Sequence, residues 1–356
     1  MMRHNGGKNQ IDLDELVQQI KEKAGETSFT GVVSIFLGEK AIYQESFGYA
    51  DIANKRKNNV KTKFAIASGT KYFTALGIGS LIDEGRLSLD TTVGEIFRKD
   101  LSYIDSRANI AQLLTHTSGI YDYYDEERVS DWENYFVDIP WYSLKTPSDY
   151  LPLFENKKAK YSPDERFSYS NGGFILLGII IEYITGKLYR DFIDERVFVP
   201  AGMDDSGYYA FNQLPENTAY GYKKSRNGTI ETNIYNLPVR GASDGGAYTT
   251  VTDLLKLWRA IFNNKILSKK LTGTFLTPHV NIKGDIEYGC GVYITRFKEM
   301  DIFYIQGGDA GVGFDSRYIP EKELQISIIS NHTDGEEKIR DVIYSEMEKS
   351  LLKLSD

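Results

Sequence analysis

Strand-like runs stand at both ends of the chain, with helix-like stretches between them. Phe29–Leu37 and Ala41–Phe47 flank a short polar turn at Gly38-Glu39-Lys40 and read as a hairpin. Toward the other end, Tyr288–Thr295, Ile302–Gln306, Phe314–Ile319 and Leu324–Ser330 are four more strand-like runs. Residues 68–85, 91–98, 108–114, 148–154, 173–186, 189–197 and 252–263 read as helices, as do 11–24 and 336–354. A doubly wound parallel sheet needs strands and helices to alternate, and here they do not. The pattern predicts an α+β fold: one antiparallel sheet built from both chain termini, flanked by helices, with a helical lobe from the middle. Residues 1–28 would be an N-terminal helix and its leader, and 29–356 a single domain. Its α/β part would be 29–75 with 265–356, and the helical lobe 76–264.

Composition removes several function classes. The net charge is −8 and no Lys/Arg stripe occurs, so nucleic acid is not an expected partner. The longest apolar run, Phe174–Ile181, ends at Glu182, far short of the roughly 20 residues that span a bilayer. Cys290 is the one cysteine, which excludes an intrachain disulfide. No two of Cys290, His4, His116, His279 and His332 have a metal-ligand spacing, so neither a metal nor another cofactor is expected. The polar start Met1–Gln10 lacks the apolar core of a secretory signal. The expected place is the cytoplasm as written, or outside it if a leader has been removed.

Three short segments carry candidate chemistry. In Ala65-Ile-Ala-Ser68-Gly-Thr-Lys71, Ser68 falls where a helix begins and Lys71 is one turn on, on a neighbouring position of the same face. A lysine with a lowered pKa can take the serine proton. In Phe167-Ser-Tyr169-Ser-Asn171-Gly-Gly, a phenol and an amide two residues apart can face one cleft. The phenol would relay protons if a nearby ammonium lowered its pKa. In Gln306-Gly307-Gly308-Asp309, a strand with paired glycines can receive a substrate along its backbone, and an N–H there can complete an oxyanion hole with that of Ser68. Taken singly, each has a plainer reading: Ser68 or Asn171 as a helix N-cap, and the glycines as a hairpin turn. Gly241-Ala-Ser243-Asp-Gly245 fits a nucleophile-elbow pattern but lacks the strand before it and the helix after it. His116 reads as a residue that ties down a turn, and Cys290 as a small buried residue on a strand.

Together and in this order, the segments resemble the serine β-lactamase-like family of class C β-lactamases, D-alanyl-D-alanine carboxypeptidases, penicillin-binding proteins and related esterases. Leu113-Leu-Thr-His-Thr-Ser-Gly-Ile120, Pro200-Ala-Gly-Met-Asp204 and Gly245-Gly-Ala-Tyr-Thr-Thr-Val-Thr-Asp253 extend the resemblance over residues 29–350. It implies a serine hydrolase acting on an amide or ester through an acyl-enzyme: a D-alanyl peptide, a β-lactam or a small acyl ester. Ser68 would be the nucleophile, with Lys71 and Tyr169 as its proton-transfer groups. Asn171, Gln306, Gly308 and Asp309 would hold the substrate or the oxyanion. The partner would be a small molecule or peptide, and the oligomeric state is open. The third motif usually begins with Lys or His, where this chain has Gln306. That departure predicts weaker binding of substrate carboxylates, unless Arg317, Arg240 or His332 replaces the cation. It also motivates an alternative, a catalytically weak penicillin-binding or sensor protein of the same fold.

Overall fold

The computed structural model describes residues 13–98, 104–129, 131–155 and 157–353. Eight antiparallel strands form the main sheet, in the spatial order Lys40–Phe47, Gly31–Leu37, Leu324–Ser330, Val312–Ile319, Met300–Asp309, Tyr293–Phe297, Ile286–Tyr288 and Val280–Lys283. The N-terminal hairpin is zipped onto the last strand, from Gly31 opposite Ser330 to Leu37 opposite Leu324. This is the α+β arrangement expected, with both ends of the chain in one sheet.

Alternation along the central strands sorts side chains to two faces. Val33, Ile35, Ile326 and Ile328 face a pair of helices, Leu13–Thr27 and Glu337–Lys353, which present Leu16, Ile20, Ala24, Ile339, Ile343 and Met347. The beginning of the first helix, at Ile11, and the end of the last, at Leu354, lie outside the described residues. On the opposite face lies the Val251–Phe262 helix, whose buried Trp258 donates its indole N–H to Ser316 at 3.0 Å. The same apolar core continues into the helical section around Thr70–Asp83 and Asn171–Thr185. Among the described residues no single helix is long and apolar enough to cross a membrane.

Two local expectations need correcting. Tyr288–Thr295 is not one strand: Ile286–Tyr288 and Tyr293–Phe297 pair antiparallel with each other, Tyr288 opposite Tyr293, so the chain reverses between them. Gly291 lies in this hairpin turn with a left-handed φ of +77°, and a Cβ there would sit 2.6 Å from the Ala75 Cβ, so the turn presses closely on the Thr70–Asp83 helix. Cys290 is buried as expected but lies in this turn rather than on a strand, with its N–H on the Phe275 carbonyl. Residues 148–154 fold as a 3-10 turn, Pro147–Leu153, because Pro152 inside the segment lacks an N–H to continue an α-helix.

Candidate active site

Ser68 sits in a 3-10 turn, Ala67–Gly69, that leads directly into the Thr70–Asp83 helix. It caps neither element; the residues flanking the turn make no side-chain cap bond. Ala67, just before it, has a φ of +42°, a costly conformation for a residue with a Cβ. The turn is held from both sides. Ile66 donates to the Ala247 carbonyl, and Thr70 accepts from the Ala247 N–H. On the other side the Met300–Asp309 strand passes so closely that a Cβ on Gly307 would lie 2.3 Å from the Ile66 carbonyl oxygen and 2.8 Å from the Ser68 nitrogen. Glycine is required there by contact, not by φ.

Lys71 is 2% exposed. Its Nζ lies 3.0 Å from Ser68 Oγ, 2.8 Å from Asn171 Oδ1 and 2.6 Å from the Asp244 carbonyl oxygen. Burial lowers its pKa, opposed by the charges of Asp244, Glu126, Asp122 and Asp309. The contact set accommodates both protonation states: the ammonium can donate to all three oxygens, and the neutral amine fills the same places as follows. Two neighbours are carbonyl oxygens that can only accept, which uses the two N–H groups. The third is a hydroxyl that can donate to the remaining lone pair.

Tyr169 lies beside this pair, its ring centroid 4.9 Å from Lys71 Nζ and 4.3 Å from the His116 ring. Its phenol pKa is raised, not lowered as the sequence reading required. Burial dominates, the neighbouring Tyr293 and Glu126 add to it, and a hydrogen bond with Ser68 only partly offsets them. The phenol therefore stays protonated. His116 has the expected tying role: it is buried, its Nδ1 accepts from the Ser170 N–H at 3.0 Å, and its Nε2 meets the Tyr288 hydroxyl at 3.2 Å. Burial is the chief cause of its lowered pKa and keeps it neutral.

Asn171 is the first residue of the Asn171–Thr185 helix rather than its cap; Ser170 caps it, accepting from Gly173 N–H at 2.9 Å. Its Nδ2 donates to the Tyr124 carbonyl at 2.9 Å and, at 3.4 Å, to Glu126. Asp122, missed in the sequence, fastens the same helix start by accepting from the N–H groups of Asn171 and Gly172 at 3.0 and 2.8 Å. Burial pushes its pKa up to about 7.

Ser68 opens onto two connected hollows. One is walled by aromatic side chains including Tyr123, Tyr124, Trp132, Tyr135, Trp141 and Tyr209, and also reaches Glu126, Asp244, Gly308 and Asp309. The other holds Tyr169, Tyr293, Gln306, Gly307 and Gly308, with Asp334, Glu336, Glu337 and Arg340. Ser68, Tyr169, Asn171, Gln306, Gly308 and Asp309 thus all border one cleft, with Lys71 behind Ser68. The proposed replacement cations do not. Arg317 lies between the Tyr304 and Tyr344 rings and pairs with Asp315, and Arg240 donates to the Tyr208 carbonyl. His332 borders neither hollow and packs near Tyr222. Arg340 is the one cation among the described lining residues, and Glu336, Glu337 and Asp341 surround it at 3.8–3.9 Å. Ser243 is fully buried against the Asn171–Thr185 helix, out of the cleft, while its neighbour Asp244 supplies the carbonyl that holds Lys71.

The β-lactamase family model matches residues 13–346. The chain belongs to the β-lactamase family. It is 30% identical over 337 residues to penicillin-binding protein 4* of Bacillus subtilis (strain 168), covering 90% of this chain and 72% of that one. The penicillin-binding protein from Bacillus halodurans superposes with a TM-score of 0.87 at 38% identity, over 92% of this chain and 99% of that one. An octameric penicillin-binding protein homologue from Pyrococcus abyssi superposes with a TM-score of 0.80 at 28% identity, over 91% and 74%. As a family member the chain is a serine hydrolase of the acyl-enzyme type.

Proposed function

We propose that this hydrolase cleaves an amide or ester on Ser68, and that Lys71 in its neutral form is the base. The observation that carries the reading is the contact set of Lys71 Nζ: two carbonyl oxygens take two N–H groups, so in the neutral form the lone pair faces Ser68 Oγ at 3.0 Å. In acylation Oγ bonds to the substrate carbonyl carbon and its proton passes to Nζ. The oxyanion accepts from the backbone N–H groups of Ser68 and Asp309. The bond to the leaving group then breaks, and Tyr169, a protonated phenol, gives its proton to the leaving group while taking one from Lys71. Water repeats the cycle in reverse and frees the acid. Asn171 orders Lys71 through Oδ1. Gln306 supplies hydrogen bonds without charge, which favours neutral acyl compounds over penicillins and other carboxylate-bearing substrates.

The test is p-nitrophenyl acetate with intact-mass detection. A burst of one equivalent followed by steady turnover is expected, with the acetyl group on Ser68 and no adduct on a folded Ser68→Ala protein. A burst with no further turnover would favour the penicillin-binding or sensor alternative, which the neutral Gln306 motivates. Labelling that persists in Ser68→Ala would place the nucleophile elsewhere.

A further inference from the structure

Asp125-Glu126-Glu127 puts three carboxylates in a row on a segment that borders the Ser68 cleft. The outer two are fastened. Asp125 pairs with Lys160 at 2.8 Å, both side chains buried. Glu127 accepts from Arg166 at 2.7 and 2.9 Å and from Ser168 Oγ at 2.8 Å. Lys160 also donates to Ser168 at 2.9 Å, so the segment is tied to the residue just before Tyr169. The middle carboxylate is left over. Glu126 forms no ion pair among the described residues, and its Oε1 takes one long bond from Asn171 Nδ2 at 3.4 Å. Its side chain is exposed at the cleft. Among the described residues the two hollows share Ser68, Tyr124, Glu126, Trp132 and Gly308, so Glu126 is the carboxylate that stands at their junction beside the nucleophile. Once Ser68 carries an acyl group, a water must lose a proton as its oxygen bonds to the acyl carbon. Lys71 is buried behind Ser68, its N–H groups engaged by Asn171 and the Asp244 carbonyl, so a water in the cleft does not meet it. Tyr169 is a protonated phenol and accepts a proton only after giving its own away. Asp122 and Asp244 are buried and engaged, the first by two backbone N–H groups and the second by the Tyr123 hydroxyl. Desolvation raises the Glu126 carboxyl pKa against the Lys71 charge and the Asn171 bond, which makes it a stronger proton acceptor than a free carboxylate.

We infer that Glu126 is the general base of deacylation, taking a proton from the water that attacks the acyl-Ser68 carbonyl. The water oxygen bonds to the acyl carbon while one of its protons passes to the Glu126 carboxylate. The bond from that carbon to Oγ then breaks, and Oγ takes the phenol proton of Tyr169. Glu126 returns its proton to the phenolate through solvent in the second hollow, which both residues border. The acid leaves, and Ser68, Tyr169 and Glu126 are back in their starting states. The inference rests on the Ser68 reading and refines its second half, giving the water-activating step to a residue other than Lys71 and Tyr169. It also names what makes the chain a hydrolase rather than a protein that stops at the acyl stage.

Intact-mass time courses with p-nitrophenyl acetate separate the two halves of the reaction. Glu126→Gln should acetylate Ser68 at close to the wild-type rate, because the amide oxygen still accepts from Asn171. It should then hold the acetyl group, with its loss to water slowed by roughly 10²–10³-fold. Glu126→Asp, which keeps a carboxylate, should recover part of that loss. Hydroxylamine is a nucleophile that needs no such base, and it should clear acetyl-Ser68 from Glu126→Gln as fast as from wild type. A residue that only shaped the site would slow water and hydroxylamine alike. Unchanged deacetylation in Glu126→Gln, equal slowing of acetylation and deacetylation, or equal slowing toward water and hydroxylamine would each overturn the inference. A wild-type acetyl-enzyme that water never clears would also overturn it, and would leave Ser68 as the nucleophile. No adduct on wild type, or one that persists in Ser68→Ala, would instead refute the Ser68 reading and the inference with it.

Discussion

Lys71 holds the balance of the site, because burial favours its neutral form and four carboxylates oppose that. Asp244 is the largest opponent, so Asp244→Asn should lower the Lys71 pKa further and move the acid limb of kcat/KM to lower pH. A pH–rate profile with the limb unmoved or shifted upward would remove Lys71 as the titrating base. Tyr169→Phe should slow turnover of poor leaving groups by roughly 10²–10⁴-fold, the usual worth of a positioned acid. It should barely change the melting temperature, since the ring that packs on His116 is kept. Parallel rate and melting measurements check both halves of that expectation. Ser68, Lys71, Tyr169 and Asn171 were legible in the sequence because each pair lies within one local turn, where spacing constrains geometry. Asp122, Glu126 and Asp244 were not. They come from irregular segments whose order no periodicity encodes, and only the fold brings them to Lys71. Asp244 was in plain view inside the Gly241–Gly245 string, but the serine drew the inspection and the backbone carbonyl carries the contact. The direction of the Tyr169 shift was misjudged because a charge was weighed without the burial that accompanies it.

Elements matter through how closely they approach the Ser68 turn. The Met300–Asp309 strand lies against that turn at Gly307, where there is no room for a methyl group. Gly307→Ala should therefore push the strand and the turn apart, displacing the Asp309 N–H relative to Ser68. A loss of about 10²-fold in kcat/KM is expected, because sub-ångström placement governs such sites, with about 1–3 kcal/mol of overpacking cost. Steady-state kinetics with a denaturant titration test this; normal activity would mean that the strand does not position the oxyanion donors. That both ends of the chain share one antiparallel sheet was readable because strand-like runs with short turns cluster there; the order of the strands was not. The chain reversal between Tyr288 and Tyr293 was not read, although Gly289 and Gly291 mark it, because apolar residues run on through the turn and period alone does not see a left-handed glycine.

The whole molecule stores a pH dependence in its buried acids. Asp122, Asp309 and Glu336 each have a folded pKa raised to about 7. The folded state thus binds more protons than the unfolded chain between about pH 4 and 7, and stability falls as pH rises through that window. Glu127 acts oppositely: held at about 2, chiefly by its hydrogen bond from Arg166, it contributes stability above its unfolded pKa that is lost as pH falls toward 2. Stability should peak in mildly acidic solution. Glu336 is 6% exposed, and its Oε2 has no partner among the described residues, so Glu336→Gln should lessen the drop in melting temperature between pH 5 and pH 7.5. Thermal scans at both values decide it, and an unchanged drop would assign the dependence to the other acids. The pairing of Gly31 with Ser330 has a separate consequence, in time rather than energy. During synthesis the first hairpin must wait for almost the entire chain to emerge before its inner edge finds a neighbour. Closing a loop of that length costs little more than a shorter one but delays the search, so folding should be slow and governed by long-range pairing. Until the last strand arrives, Gly31–Leu37 offers an unpaired apolar edge, and in that interval the nascent protein is most exposed to aggregation.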